Sequence, residues 1–221
     1  MNSSAQPLTA AFFDFDETLL TVNSSVIGFK VLKEQGYLTR PFLFKMSMAM
    51  LLHKIKVINE QQLIQVFLSF YRGRQLQPFL DSAKEFYSLH LQPNLSAPVM
   101  EKLKWHQSQG HLTVLVSGSI DYYLKPVIED LGIEHLLCTT LEVNPSGVLT
   151  GRSKGPVCMG NEKVALTRSW VTDHHIDLSQ SYAYGNSELD IPLLNLVGHP
   201  VVVNPTHRLL QHAHEHRWPI L

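Results

Sequence analysis

Cysteine is nearly missing: Cys138 and Cys158 are the only two in 221 residues. Two thiols cannot build the disulfide framework that staples small secreted domains, so the fold must rest on a hydrophobic core. An excess of either charge is lacking too, since 18 Lys and Arg face 19 Asp and Glu, a formal net charge of −1. That balance gives no general pull toward nucleic acid or anionic membranes, and any affinity for anions has to come from a local site. No apolar run is long enough to span a bilayer; the most apolar helical stretch, 41–57, is interrupted by Lys45, His53, Lys54 and Lys56. The opening Met-Asn-Ser-Ser-Ala-Gln-Pro has neither the basic start nor the apolar core of a secretory leader. A soluble, cytoplasmic protein with reduced thiols is therefore expected. Repeats and low-complexity linkers are absent as well. What remains is a globular chain, 44% hydrophobic, long enough for one substantial core and a small accessory unit.

Two zones can be told apart. Residues 24–95 follow a helical pattern, with helices predicted at 25–35, 42–56, 60–71 and 78–91 and no convincing strand. Gly36 and Gly73 supply stops, and Asn59 before Glu60 is a plausible N-cap. The other zone alternates. Strands are predicted at 8–13, 112–116, 136–143, 182–184 and 201–203, with helices at 98–109, 122–131, 162–174, 188–196 and 208–216. Alternation of this kind implies an α/β fold, a parallel sheet covered on both faces. The Asn144-Pro-Ser-Gly147 turn before 148–151 reads as a small hairpin.

Chemistry concentrates at the end of the first strand. Asp14 and Asp16 stand two residues apart directly after an apolar run, with Thr18 following. Ligand sites in open parallel sheets lie just beyond the carboxyl ends of the strands. One carboxylate can attack phosphorus and form an acyl-phosphate; the other can protonate the leaving alcohol and later deprotonate water. Two anions so close, facing a phosphate, call for a hard divalent cation with oxygen ligands, most plausibly Mg²⁺.

Asp-Phe-Asp-Glu-Thr-Leu-Leu, residues 14–20, resembles the D-x-D-x-T motif of the haloacid-dehalogenase-like (HAD) phosphohydrolase superfamily. Three later segments fall in that superfamily's order. Leu112-Thr-Val-Leu-Val-Ser-Gly118 resembles its second motif, Gly160-Asn-Glu-Lys163 its third, and Gly185-Asn-Ser-Glu-Leu-Asp190 its fourth, usually G-D-S-x-x-D. Each motif is weak singly; four in order are specific. The likeness runs from Phe12 to the segment 198–205 and is greatest to subfamily IB, the phosphoserine-phosphatase-like branch. It implies a Rossmann-like core at 1–22 and 96–221 with a helical cap inserted at 23–95.

The resemblance also distributes roles. Asp14 is the expected nucleophile and Asp16 the acid/base, whose backbone carbonyl also binds metal. Aspartate rather than threonine at 16 favours full hydrolysis over a long-lived aspartyl-phosphate. Ser117, the Gly118 backbone and Lys163 are expected to hold phosphate, with Glu17 and Asn23 among the substrate-binding positions. Asp14, Asp16, Asn186 and Asp190 form the expected metal set. Asn186 departs from the pattern: an amide keeps a ligand oxygen but loses the charge of the expected aspartate, so metal affinity should fall. Asp190 should orient a metal-bound water or Asn186 itself. Asn23 stands where phosphoserine phosphatases carry a glutamate for the substrate amine, which disfavours phosphoserine.

Bland readings compete at three further places. Arg72 and Arg74 could meet an anionic substrate group, though exposed turn arginines are commoner. The Phe and Met residues between 42 and 50 could suit a lipid-like phosphate or simply pack a helix core. His212 and His216 have metal-ligand spacing but read best as a solvated helix face. The expectation is thus a Mg²⁺-dependent hydrolase of a small phosphate monoester acting through an aspartyl-phosphate, with no nucleic-acid partner and no membrane span. A phosphotransferase using the same intermediate, or a phospho-ligand-binding module weakened at Asn186, are the alternatives. Oligomeric state is not encoded in these motifs.

Overall fold

The structure is a computed structural model and describes residues 8–221. The stretch read above for a leader, which also begins the expected core segment 1–22, lies outside the described residues.

Among the described residues seven strands form: β1 (Ala10–Phe13), β2 (Leu112–Ile120), β3 (His135–Thr139), β4 (Leu141–Val143), β5 (Leu149–Ser153), β6 (Tyr182–Gly185) and β7 (His199–Val202). Five make one parallel sheet in the order β3-β2-β1-β6-β7, with Phe12 in register with Val114 and Ala183. From β1 the chain builds outward through β2 to β3, then returns to the other side of β1 for β6 and β7. The reversal lies at β1, and crevices at such switch points, outside the carboxyl ends of the strands, are where α/β sheets bind ligands.

Between β1 and β2 runs a helical segment: α1 (Ser24–Glu34), α2 (Arg40–Lys54), α3 (Glu60–Leu68) and α4 (Gln77–Phe86). Asn23, Thr39 and Asn59 cap the first three through their side chains, Asn59 in a reciprocal box with Gln62. Entry and exit of this segment run side by side. Leu20 bridges Leu95, the Thr21 amide donates to the Asn94 carbonyl at 2.9 Å, and the Ser96 amide to that of Leu19 at 2.9 Å.

The remaining helices are α5 (Ala97–Ser108), α6 (Asp121–Leu131), α7 (Asn161–His174), α8 (Ile191–Leu194) and α9 (His207–His216). Side chains alternate along a strand, which sorts β1 into two cores. Ala11 and Phe13 pack with Leu115 and Tyr184 under α5 and α6; Ala10 and Phe12 pack with Val114 and Ala183 under α7, α8 and α9. No described helix is long and apolar enough to cross a membrane.

Three elements differ from expectation. The strand predicted at 136–143 splits after Thr139, and β4 leaves the sheet to pair antiparallel with β5 through the predicted turn, where Asn144 accepts from the Ser146 and Val148 amides. That hairpin reaches the helical segment, the Gly73 amide donating to the Leu149 carbonyl at 2.9 Å. The second strand runs on to Ile120 instead of stopping at 116, because Ser117 still pairs with Cys138 and Ile120 with Thr139 across a register shift. The helix predicted at 188–196 becomes a 3-10 turn at Glu188–Asp190, capped by the Ser187–Asp190 box, followed by a single α turn at Ile191–Leu194.

Candidate active site

Asp14 follows β1 directly and is only 7% exposed. Its backbone amide continues the sheet by donating to the Tyr184 carbonyl at 2.9 Å, which aims the side chain past the strand ends. Oδ1 accepts from Lys163 Nζ at 2.7 Å, and Oδ2 accepts from the Thr18 hydroxyl at 3.1 Å. Lys163 reaches this point from the first turn of α7, after Gly160 turns the chain at a φ of 53°. The same ammonium donates to Asp190 Oδ1 at 2.7 Å, so one buried cation bridges two buried carboxylates.

Asp190 is saturated by the protein. Its second oxygen accepts from the Asn186 amide, the Ser187 amide and the Ser187 hydroxyl at 3.0–3.2 Å. Among the expected metal residues it therefore acts from behind, fixing Asn186 and Lys163. Gly185 makes that possible, because a Cβ there would stand 2.6 Å from the Asp190 Cβ. Burial, and next the Asp190 charge, push the Asp14 carboxyl up to about 7 against the pull of Lys163. Burial alone would lower Lys163, but the two carboxylates outweigh it and hold the ammonium raised.

Asp16 is held separately. The Ser24 amide, which opens α1, donates to Oδ1, and the Ser119 hydroxyl donates to Oδ2 at 2.8 Å. The Ser24 hydroxyl lies 3.3 Å from both the Ser119 hydroxyl and the Tyr123 hydroxyl. Burial, with Asp16 nearby, raises Tyr123, which keeps it a neutral donor. Sequence reading assigned no role to Ser24, Ser119 or Tyr123. For Ser119 the signal was available, because a hydroxyl two residues after Ser117 on one strand faces the same side.

Ser117 is buried, its hydroxyl accepting from the Ser119 amide at 3.1 Å. At Gly118 a Cβ would meet Met159 Cγ at 2.7 Å, so any larger residue there would have to displace that side chain. Asn23 lines the cavity, but its carbonyl oxygen is taken by the Ser25 and Val26 amides. The oxygen expected to meet a substrate amine is a helix cap. Glu17 is exposed, with its carboxylate against the Asn186 side chain. Arg74 turns away, donating to the Phe70 and Tyr37 carbonyls, and neither it nor the exposed Arg72 lines the cavity. Of the Phe and Met run, Met46 lines the cavity and Phe42 packs on Phe70, whereas Phe44, Met48 and Met50 are exposed. His212 and His216 stack on each other at 4.0 Å on α9 and are not among the cavity residues.

The cavity measures about 590 Å³. Its floor carries Asp14, Asp16, Ser117, Lys163 and Asn186, and its walls are largely apolar, with Leu63, Ile64 and Phe67 from α3 and Phe79 and Phe86 from α4, beside Glu60 and Glu85 of the same helices. The floor fits a hard cation. When ionised, Asp14, Asp16 and Asp190 bring three negative charges against the one of Lys163, and an anionic phosphate would add to the excess. Asn186 donates its Nδ2 to Glu17, and its Oδ1 accepts no hydrogen bond from the described residues. A free amide oxygen beside a surplus of carboxylate is an oxygen-donor set for Mg²⁺.

The haloacid dehalogenase-like hydrolase family model matches residues 11–195. The chain is 28% identical over 218 residues to the inhibition of morphological differentiation protein of Streptomyces azureus, covering 97% of this chain and 78% of that one. It is 30% identical over 168 residues to a histidinol-phosphatase of Neisseria meningitidis, covering 72% and 74% of the two chains. A phosphoserine phosphatase of Mycobacterium tuberculosis is 28% identical over 215 residues, 96% of this chain and 70% of that one. Among solved structures, a Bordetella pertussis protein of unknown function superposes with a TM-score of 0.88 at 24% identity, covering 98% of this chain and 99% of that one. A substrate-bound phosphoserine phosphatase gives 0.67 at 19% identity, with 94% and 91% coverage. These two likenesses establish the fold.

Proposed function

The chain belongs to the haloacid dehalogenase-like hydrolases, and within that family we propose that it is a Mg²⁺-dependent phosphate monoester hydrolase working through an aspartyl-phosphate. The observation that carries this reading is the Asp14 carboxylate at the end of β1, anchored by Lys163 at 2.7 Å, with Asp16 held independently by Ser119 at 2.8 Å. Two carboxylates with separate supports can perform separate tasks.

Asp14 attacks phosphorus in line, forming a P–O bond as the bond to the leaving alcohol breaks. Asp16, protonated at the start, gives its proton to the leaving oxygen and then takes one from the attacking water. That water cleaves the aspartyl-phosphate and regenerates Asp14. Lys163, the Ser117 hydroxyl and the Gly118 backbone hold the phosphoryl oxygens while charge shifts among them. Mg²⁺, when bound by Asp14, Asn186 and the Asp16 carbonyl, supplies charge neutralisation for the phosphate. The helical segment 23–95 serves as a cap that excludes water from the reaction.

The cavity wall supports a substrate class. Lys163 is the one Lys or Arg lining it among the described residues, and it is already committed to Asp14 and Asp190. No other described Lys or Arg lines it to meet a second anionic group on the substrate, and the α3 and α4 walls add Glu60 and Glu85 to a largely apolar lining. A monoester without a carboxylate fits better than one that carries it. Of the two activities named among the relatives, histidinol-phosphatase suits this lining better than phosphoserine phosphatase, because its ester carries no carboxylate and its amine matches Glu60 and Glu85 on the walls.

Hydrolysis of 4-nitrophenyl phosphate across a Mg²⁺ titration tests the reading, with Asp14→Asn as control. Metal-dependent release that vanishes in the control is expected. Absence of release at every metal level, with retained binding of phosphate esters, would instead support the binding module that Asn186 favours. Transfer of the phosphoryl group to an added alcohol would mark a phosphotransferase.

A further inference from the structure

We propose that Glu17 supplies the negative charge that Asn186 lacks, so that the two together do for Mg²⁺ what a single aspartate at 186 would do. The inference rests on the metal-dependent reading above and concerns two residues that the sequence assigned to different tasks, Glu17 to substrate and Asn186 to metal.

The contact between them is specific in direction. Asn186 Nδ2 donates to Glu17 Oε2 at 3.2 Å. An ionised carboxylate has no proton to give, so the amide must turn its nitrogen toward Glu17 and its oxygen away. The carboxylate thereby fixes which end of a 6%-exposed amide is available as a ligand. Its charge also polarises that amide and raises the electron density on Oδ1, as partners of ligating groups do at metal sites.

Backbone geometry places Glu17 there at a cost. Its φ is 57°, the left-handed region that a side chain with a Cβ rarely adopts and that glycine fills easily. The conformation is held by the Glu17 amide donating to the Val22 carbonyl at 3.2 Å. Among the described residues no Lys, Arg or His pairs with the carboxylate, so its charge is unspent. Glu17, Asn186, Asp14 and Asp16 all line the same cavity.

One consequence separates this pairing from a general acidic environment. An aspartate introduced at 186 would set one carboxylate against another at the position of the present hydrogen bond, so Glu17 should help Asn186 and hinder its replacement. Calorimetric titration of the metal-free protein with Mg²⁺, without any phosphate ester, reads this directly. Glu17→Gln, isosteric and exposed, is expected to weaken Mg²⁺ about tenfold in the wild-type background. Glu17→Asp, which keeps the charge but withdraws it from the amide, is expected to weaken it as well. In an Asn186→Asp background Glu17→Gln should leave Mg²⁺ affinity unchanged or tighten it. An unchanged dissociation constant in Glu17→Gln, or an equal loss in both backgrounds, overturns the proposal. Turnover of 4-nitrophenyl phosphate with metal affinity indifferent to Glu17 would sink this pairing and leave the phosphatase reading standing. Mg²⁺ binding that depends on Glu17 in a protein releasing no phosphate would do the reverse.

Discussion

Two buried polar clusters share the central strands and handle burial in opposite ways. At the carboxyl end of the sheet, Lys163 bridges Asp14 and Asp190, an arrangement built around a buried cation. Against one face of the same sheet, His106 from α5 sits fully buried, its Nε2 2.9 Å from the Tyr184 hydroxyl and its Nδ1 2.8 Å from His111 Nδ1. Burial first, then His111 and Lys102, lower His106 to about 3, so this cluster stays neutral. Tyr184 and Asn186, two residues apart on one chain, belong one to each. The neutral cluster closes its hydrogen bonds internally. The charged one ends with surplus negative charge, and that unbalanced remainder is what points to a bound cation and a reaction.

The largest expected effect comes from removing the bridging charge. Lys163→Met leaves two buried carboxylates without their cation, and breaking a buried pair in this way costs about 3–5 kcal/mol of stability. Turnover should fall by about 10²–10³-fold in kcat, the scale of losing one charge stabiliser. His106→Gln, which keeps a donor for Tyr184, should cost about 1 kcal/mol in the same urea unfolding experiment. Equal losses for the two variants would break the contrast.

A smaller effect sharpens it at Asp16, the proposed acid/base. Ser119→Ala removes the hydroxyl that holds Asp16. Protonation matters most for poor leaving groups, so alkyl phosphates should slow about tenfold and 4-nitrophenyl phosphate hardly at all. Uniform slowing of both esters would mean that Ser119 only packs the strand.

What was legible in the sequence follows the same divide. Asp14 and Asp16 stand just past β1, Ser117 in the second half of β2, and Lys163 and Asp190 at helix starts, where a short local pattern fixes both element and direction, and the structure brings all five to one cavity. The parallel sheet was equally readable, because an apolar run such as 8–13 demands cover on both faces. Asn23 lines the cavity and also caps α1, a role that calls for the same residue type in the same place, so the sequence alone does not separate the two. The split of 136–143 was invisible, since both halves are apolar and only tertiary pairing with β5 separates them. Glu17 showed nothing locally; its contact crosses 169 residues. The Ser119 hydroxyl was visible as a residue but not as a partner of Asp16, which depends on β1 and β2 lying side by side.

The subtlest difference between the clusters is in the sign of their pH dependence. Asp14 titrates near 3.8 when unfolded and at about 7 when folded. Between those values the metal-free folded state keeps a proton the unfolded state has lost, so the stability this group contributes falls as pH rises. His106 runs the other way. Its unfolded value is 6.5 and its folded value about 3, so between them the unfolded state holds the extra proton and stability rises with pH. In the shared window, from about pH 4 to 6.5, the two slopes oppose, each limited to about 1.4 kcal/mol per pH unit. Subtracting each variant's unfolding profile from that of the wild type cancels the titrating groups that the substitution does not touch. Without metal, His106→Gln should grow steadily less stable relative to wild type as pH rises through this window, while Asp14→Asn should grow more stable. Mg²⁺, which favours ionised Asp14, should flatten the wild-type minus Asp14→Asn difference and leave that for His106→Gln untouched. Parallel profiles for the two variants would show that the charged and neutral clusters are not distinct after all.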